Sequence, residues 1–491
     1  MKNLNYHYIA TIILALMLQA CDKQLDLKPI SQTIVGGEGQ GTAGSSIKDA
    51  ASAEAALAGV YAYFKNGGSE YYVLDYFLIG DAQSDNAYAG ADNPSIFEID
   101  EFRPTSTNQA TGRDWGYLYG HIANCNSVIA NVPKVTDASL TDVRKNQIVG
   151  EAKFIRARAY FDLVRMYGDV PLIVDELPAI TADNVKELYP MLYPARTPAA
   201  EVYAQIISDL NDASTTVPTS APTKMTITPG AVYTLLAKVY ATQQPVDWNQ
   251  VKINTDKVIG LGYSLLPVYD QLFDNAHKNS QESIFELNFT DWSTGGNWGS
   301  SMFYGTDWKK FNTPSNDLIK AFDEEGDDIR KASTISFANV TGKWSDKYHT
   351  LTNFPFAYKM RNTDGSQNII IYRLADVLLL NAEARNELGD VDGARTIVDQ
   401  IRARVDLSPT PATDQASMRF AIEKERRLEL AFEGVRWYDL VRTNRAVEVM
   451  NTVKDGNNNG LNYNLDDNKL IWPIPQGEMD KNENLTQNTG Y

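Results

Sequence analysis

The stretch IIIYRLADVLLLNAEARNELGDVDGARTIVDQIRARVD, residues 369–406, decides the reading of the fold. It opens with a strand-like apolar run, Ile369 to Tyr372, and passes directly into a helical segment, Arg373 to Gly389. Leu374, Val377, Leu378, Ala382 and Leu388 recur there at a helical period. After the Gly389-Asp390 break, Ala394, Ile397, Val398, Ile401 and Val405 repeat the pattern up to Asp406. Two antiparallel helices with small alanines at their crossing make a hairpin of the tetratricopeptide kind.

Outward from this hairpin the helical signal continues in both directions. Toward the C-terminus, EKERRLELAFEGVRWYDLVR (423–442) is dense in both signs of charge and is interrupted by Gly434. Glu425/Glu429, Glu429/Glu433 and Asp439/Arg442 share helix faces, which reads as helices tied by ion pairs. An acid–base carboxylate pair is the alternative. Toward the N-terminus the spacing predicts helices beginning near Ser46–Asp49 and over Asp114–Val132, Leu140–Tyr167, 198–213, Gly230–Gln243 and Asp247–Gly260. Gly168 and Pro171 stop the 140–167 helix. Thr197-Pro198 and Thr228-Pro229 are start signals. Arg156, Arg158 and Arg165 read as a solvated or salt-bridged face. Ile284–Phe289 reads as a strand, and 343–372 as strands around a hairpin-like turn at 359–365. The fold class is therefore mainly α: an irregular helical-repeat scaffold with long loop and short-strand insertions.

The strings EAKFIRARAYFDLVRMYGDVPLI (151–173), IYRLADVLLLNAEARNELGD (371–390), ERRLELAFEGVRWYDLVR (425–442) and LIWPIPQGEMDKNENLTQNTGY (470–491) resemble the SusD/RagB family. Its members are surface nutrient-binding lipoproteins of Bacteroidota. The last three keep family order and spacing over about 120 residues. The resemblance implies a SusD-like domain over 46–491, with halves at about 46–280 and 281–491. It implies a non-catalytic protein that binds glycan and delivers it to a SusC-like TonB-dependent outer membrane transporter.

The beginning of the chain fits that expectation. Lys2 followed by an apolar core, Tyr8 to Leu18, reads as a signal peptide over residues 1–20. Leu18-Gln19-Ala20-Cys21 resembles a lipobox, which makes Cys21 the lipidation site and the acyl chains the membrane anchor. Asp22 beside Cys21 resembles exported lipoproteins of the same bacteria and implies the outer leaflet at the cell surface. Residues 21–45 hold the lipidated end and a glycine-rich tether. Cys125 is the other cysteine, so no disulfide is expected, and it reads as a small buried residue.

Two stretches are candidates for ligand contact. Residues 290–312 place Trp292, Trp298 and Trp308, three of eight tryptophans, within 17 residues, with Tyr304 among them and glycines between. Each ring has roughly 150–250 Å² to bury, and a glycine-rich stretch offers little regular structure in which to do it. Flat rings beside Asn, Asp and Ser suit sugar faces and hydroxyls. The alternative is a loop folded onto the core. The second stretch is the polar loop 80–90, where Asp85, Asn86 and Tyr88 are candidate contacts and a loop sealed by its own turns is the alternative. Near the C-terminus, Asp455, Asn457, Asn459, the Leu461 carbonyl and Asp466 match the spacing of a calcium loop. Only two of these ligands are charged, and an Asn-Gly turn explains the same residues.

Composition narrows the classes. The 491 residues carry 62 acidic and 45 basic side chains, a formal charge of −17, which argues against nucleic acid and weakly against polyanionic ligands. No apolar run reaches the roughly 18 residues of a spanning helix. No HExxH, GxSxG, P-loop or CxxC motif occurs, and the four histidines are scattered. No cofactor is required by this reading, and calcium is the one candidate ion. A peptide- or protein-binding helical-repeat lipoprotein and a two-carboxylate glycoside hydrolase are the competing readings.

Overall fold

The protein is described by a computed structural model over residues 47–91 and 93–491. The signal segment, Cys21 and the tether lie outside the described residues. Helix α1 (Ala50–Tyr63) starts in a capping box: Asp49 accepts the Ser52 N–H at 2.8 Å and Ser52 Oγ accepts the Asp49 N–H at 3.0 Å. The repeat follows as α2 (Gln109–Asn131), α3 (Asp142–Tyr167), α4 (Ala199–Thr216), α5 (Pro229–Thr242), α6 (Trp248–Ile259), α7 (Leu374–Glu387), α8 (Val391–Ala403) and α9 (Gln415–Leu430). From α2 to α8 each helix packs on the next, and α7 also packs on α9. The succession continues from α6 to α7 across the insertion of residues 260–373, as a helical-repeat scaffold requires.

Small residues set the close crossings. Ala152, Ala157 and Ala159 of α3 are fully buried, as are Ala375 and Ala382 of α7 and Ala394 of α8. Thr228 and Pro229 start α5 as predicted, whereas α4 takes Pro198 itself as the cap. Leu388 lies one residue beyond α7 and is exposed, so it does not belong to the apolar face. Arg156, Arg158 and Arg165 of α3 are salt-bridged and turned inward rather than solvated. Arg156 forks onto Asp209 at 2.7 and 2.8 Å, and Arg158 donates to the Tyr372 hydroxyl at 2.8 Å. Arg165 pairs with Asp162 and lies 3.7 Å from the Tyr438 ring centroid. Charge at these positions serves internal carboxylates and rings, which helical periodicity cannot reveal.

Among the described residues six short strands form three antiparallel pairs: β1 (Ala87–Tyr88) with β3 (Thr313–Pro314), β2 (Ser283–Leu287) with β6 (Ile369–Arg373), and β4 (Ile335–Ala338) with β5 (Phe354–Ala357). The expected hairpin through 359–365 is not formed. Its two arms, β5 and β6, pair with β4 and β2 instead. Residues 71–82 form two buried wide helical turns, Tyr71–Asp75 and Leu78–Ala82.

The charge-dense segment is two helices, α9 and α10 (Arg436–Arg442), separated by a turn with Phe432 at φ +62° and Gly434 at φ +74°. Asp81 accepts the Phe432 and Gly434 N–H groups at 3.0 and 2.9 Å, which fixes that turn. Gly80 meets Gly434 there, and a Cβ on Gly80 would lie 2.2 Å from the Gly434 carbonyl carbon.

Glu429 on α9 is the centre of a buried ionic network. It accepts from Arg330 at 3.1 Å, from Arg373 at the end of β6, and from Arg404 just after α8. Arg373 also reaches Glu282 and Glu433, and Arg330 reaches Glu425. Burial pushes the Glu429 carboxyl up, but the charges of Arg404, Arg373 and Arg330 overcome it and hold the group well below the usual carboxylate range. Removing one member strands the others without solvent. Glu429→Ala is therefore expected to cost about 3–5 kcal/mol. Glu54→Ala, which breaks the exposed pair with Arg144, should cost under ~1 kcal/mol. Urea unfolding midpoints at constant m value distinguish the two, and equal losses would refute the central role of Glu429.

Candidate functional site

Residues 288–312 join β2 to β3 and are bonded to the 362–367 turn. Asp291 caps a short helical turn, Trp292–Thr294, by accepting the Ser293 N–H at 2.8 Å. The Asn297 N–H donates to the Gly365 carbonyl at 2.8 Å, and its side-chain amide donates to the Gln367 carbonyl at 3.0 Å. Ser300 Oγ donates to the Asn362 carbonyl at 2.9 Å. These bonds stitch an irregular, ring-rich segment to a second irregular segment and give it a defined shape.

The Trp292 ring lies against Gly365, which sits at φ +84°. A Cβ there would stand 2.9 Å from the indole, so only glycine lets the ring rest on the backbone. Trp292 remains 52% exposed, the most exposed of the described tryptophans. Trp298 is half-buried against the main core. Tyr304 meets Tyr358 at 4.9 Å between centroids and Phe356 at 6.2 Å, both edge-on. Trp308 meets Phe311 edge-on at 5.9 Å and carries the Lys310 ammonium 4.0 Å from its centroid. Trp344 packs edge-on against Phe354 and Phe356 at 5.7 and 6.3 Å, on the same small cluster as Tyr304. The four candidates of the glycine-rich stretch are thus partly open to solvent and braced from behind.

Asp85, Asn86 and Tyr88 are elsewhere in function. All three are buried. Asp85 takes a fork from Arg436 at 2.7 and 2.8 Å and faces Arg427. Burial pushes its carboxyl up, and the two arginines bring it down to about 2. Asn86 bridges Asp81 and Arg427 at 3.1 and 3.0 Å. Tyr88 sits in β1 and donates to Asp346 at 2.7 Å. The expectation that these residues face a ligand is corrected: Asp85 and Asn86 answer arginines more than three hundred residues further along, and Tyr88 answers Asp346. Sequence reasoning missed Trp344, Tyr358, Gly365 and the Arg361–Asp270 pair. The signals present were one tryptophan within a strand-like stretch and one glycine within a turn.

The acid–base alternative loses its residues, because Glu425, Glu429 and Glu433 are all committed to buried cations. In the 455–466 loop, Asp455 accepts from the Asn457 and Asn459 N–H groups at 2.9 and 2.8 Å and from the Asn459 side-chain amide. Asp466 caps the short helical turn Asp467–Lys469. Both carboxylates thus close local turns. Among the described residues no group of three or more His, Cys, Asp and Glu side chains could hold a metal ion, and no helix is long and apolar enough to cross a membrane.

Two family profiles match this chain: one described as the SusD family over residues 300–491, the other as starch-binding associating with outer membrane over residues 44–241. SusD-like protein P38 of Formosa agariphila is 26% identical and aligns over all of this chain and 99% of its own. SusD-like protein P2 of the same organism is 27% identical over 80% of this chain and 83% of its own. Among solved structures, a SusD superfamily protein from Bacteroides vulgatus superposes with a TM-score of 0.77 at 22% identity, covering 90% of this chain and 99% of its own. A laminarin-binding SusD-like protein superposes with a TM-score of 0.74 at 27% identity, covering 90% and 100%. The helical-repeat fold and these matches together define the class. The chain matches the SusD/RagB family over residues 300–491 and a starch-binding, outer-membrane-associating family over residues 44–241, and its SusD-like relatives align along most or all of its length.

The Trp292–Gly365 contact is testable by itself. Gly365→Ala combines left-handed backbone strain of about 1–2 kcal/mol with displacement of the ring. The melting temperature is expected to fall, and a Trp292→Ala, Gly365→Ala double variant should recover the ring part alone. Strict additivity of the two single changes would show that the contact carries no coupling.

Proposed function

We propose that this protein is a non-catalytic lipoprotein of the outer membrane surface that binds glycan and passes it to a SusC-like TonB-dependent transporter. Cys21 carries the lipid in this proposal, and residues 22–45 let the domain move while keeping it close to its partner. The single observation that carries the glycan reading is the Trp292 ring, resting on Gly365 with half its surface open, in the same segment as the braced rings of Trp298, Tyr304 and Trp308. Flat exposed indoles take the C–H face of a pyranose, and neighbouring amides and carboxylates take its hydroxyls. The family matches support it, as does the 27%-identical laminarin-binding relative. Calcium at Asp455, Asn457, Asn459 and Asp466 is a minor part of the proposal, in the weak range of about 10⁻⁴–10⁻³ M. A rise in melting temperature with millimolar calcium supports it, and a flat titration removes it.

The deciding test is affinity electrophoresis through gels containing plant, microbial and host polysaccharides. Native protein is expected to be retarded by at least one polysaccharide without releasing reducing ends. Trp292→Ala should weaken that retardation about tenfold or more, because stacking one ring against a sugar is of the order of 1–2 kcal/mol. Release of reducing ends would restore the hydrolase reading. Undiminished retardation of Trp292→Ala would move the site away from this surface.

A further inference from the structure

Three ion pairs frame the half-exposed rings. The Lys310 ammonium bonds Asp307 at 2.7 Å and the Ser301 carbonyl at 2.8 Å, over the Trp308 face. Arg361 forks onto Asp270 through two bonds of 2.7 Å and lies 4.8 Å from the centroid of Tyr358, the ring that meets Tyr304. Lys309 bonds Asp346 at 2.8 Å, beside the Tyr88 hydroxyl.

The first two pairs are oriented alike. Lys310 is 3% exposed and its partner Asp307 is 69% exposed; Arg361 is 12% exposed and Asp270 is 50% exposed. In each, the cation is turned inward with a carboxylate and a ring over it, and the carboxylate faces solvent. Asp364 adds another exposed carboxylate beside Gly365, near Trp292. Of the remaining lysines on this side, Lys65 and Lys278 are half-buried around Phe289, the first over its ring and the second on its carbonyl. Lys343 and Lys347 are exposed and bond the Thr306 carbonyl and the Tyr348 hydroxyl.

In these two pairs the outermost charge is therefore carboxylate oxygen, beside Trp308 and beside the cation that covers Tyr358. Such oxygens accept hydrogen bonds from sugar hydroxyls at charge-assisted strength. They repel another anion, and the inward cations cannot answer it without giving up an ion pair. The overall charge of −17 adds long-range repulsion of the same sign. We infer that this surface selects an uncharged glycan, with Asp307 and Asp270 accepting from its hydroxyls, and turns away polymers bearing uronate or sulfate. This rests on the glycan-binding reading above.

The test uses the full-length protein in affinity gels of two kinds. Neutral gels hold laminarin, starch, xyloglucan or galactomannan; anionic gels hold polygalacturonate or carrageenan. Native protein is expected to be retarded in at least one neutral gel and unmoved in both anionic gels. The double variant Asp270→Asn, Asp307→Asn, checked for an unchanged melting temperature, should bind the neutral polymer about tenfold more weakly, the worth of one charge-assisted bond. It should also gain retardation in polygalacturonate that salt removes, because Arg361 and Lys310 are then free to pair. Should the double variant unfold, Asp307→Asn alone carries the same expectation. Salt-sensitive retardation of native protein by an anionic polymer, with the neutral gels inert, would overturn the inference and leave a glycan binder standing. No retardation in any gel would remove the glycan reading, and this inference with it.

Discussion

Glu429 accepts from three arginines in a place without solvent, and that constraint organises the molecule. Arg330 comes from the Asp328–Thr334 helix, Arg373 from the end of β6 and Arg404 from the turn after α8. None of these cations has water to fall back on. Each element must therefore stop at one distance from α9, because a displaced arginine would leave an unpaired buried charge. A network of this kind adds little net stability over an apolar core of equal volume. What it supplies is position. Glu282, just before β2, joins through Arg373 and Arg404, so the Ser283–Arg373 end of the β2–β6 pair is fixed to the repeat.

That fixation explains how the aromatic surface can be irregular and still defined. The chain leaves the scaffold at β2 and returns at β6, and residues 288–368 are tied back between those points by the β1–β3 pair and by Arg330 on Glu429. Within that span, the bonds of Asn297 and Ser300 to the 362–367 backbone do the work that a longer sheet would otherwise do. Rings braced edge-on lose their rotamer freedom in advance of any ligand. A preorganised surface spends less of its contact energy on ordering itself.

The repeat was legible in the sequence because helix hairpins advertise themselves locally, through a 3.6-residue period, caps and small residues at crossings. Hidden features all depended on distant partners. Residues 343–372 read as strands, but nothing local could say that β5 would choose β4, and β6 would choose β2. Asp85 and Asn86 read as ligand contacts because a polar loop is by default a surface loop, until Arg427 and Arg436 arrive from the other end of the chain. Arg156 and Arg158 read as a solvated or salt-bridged face for the same reason in reverse: the ion pair of Arg156 exists, but with Asp209 and out of solvent. On the candidate surface, the tryptophan and glycine pattern of 290–312 was visible. Gly365 and Tyr358 were not, since each acquires meaning only from a ring more than fifty residues away, and neither was Trp344, which gains its place from β5.

Net charge shows the same limit from another side. A value of −17 describes the whole surface and says nothing about which member of an ion pair faces out. Around the rings that choice has been made twice in one direction, with Lys310 and Arg361 drawn inward over aromatic faces and Asp307 and Asp270 left outside. The reason is physical. A long aliphatic stem and a ring-facing cation are favourable when partly desolvated, whereas a short carboxylate is best left in water. Burying the cations thus stiffens the rings and, in the same step, decides the sign of charge a ligand meets.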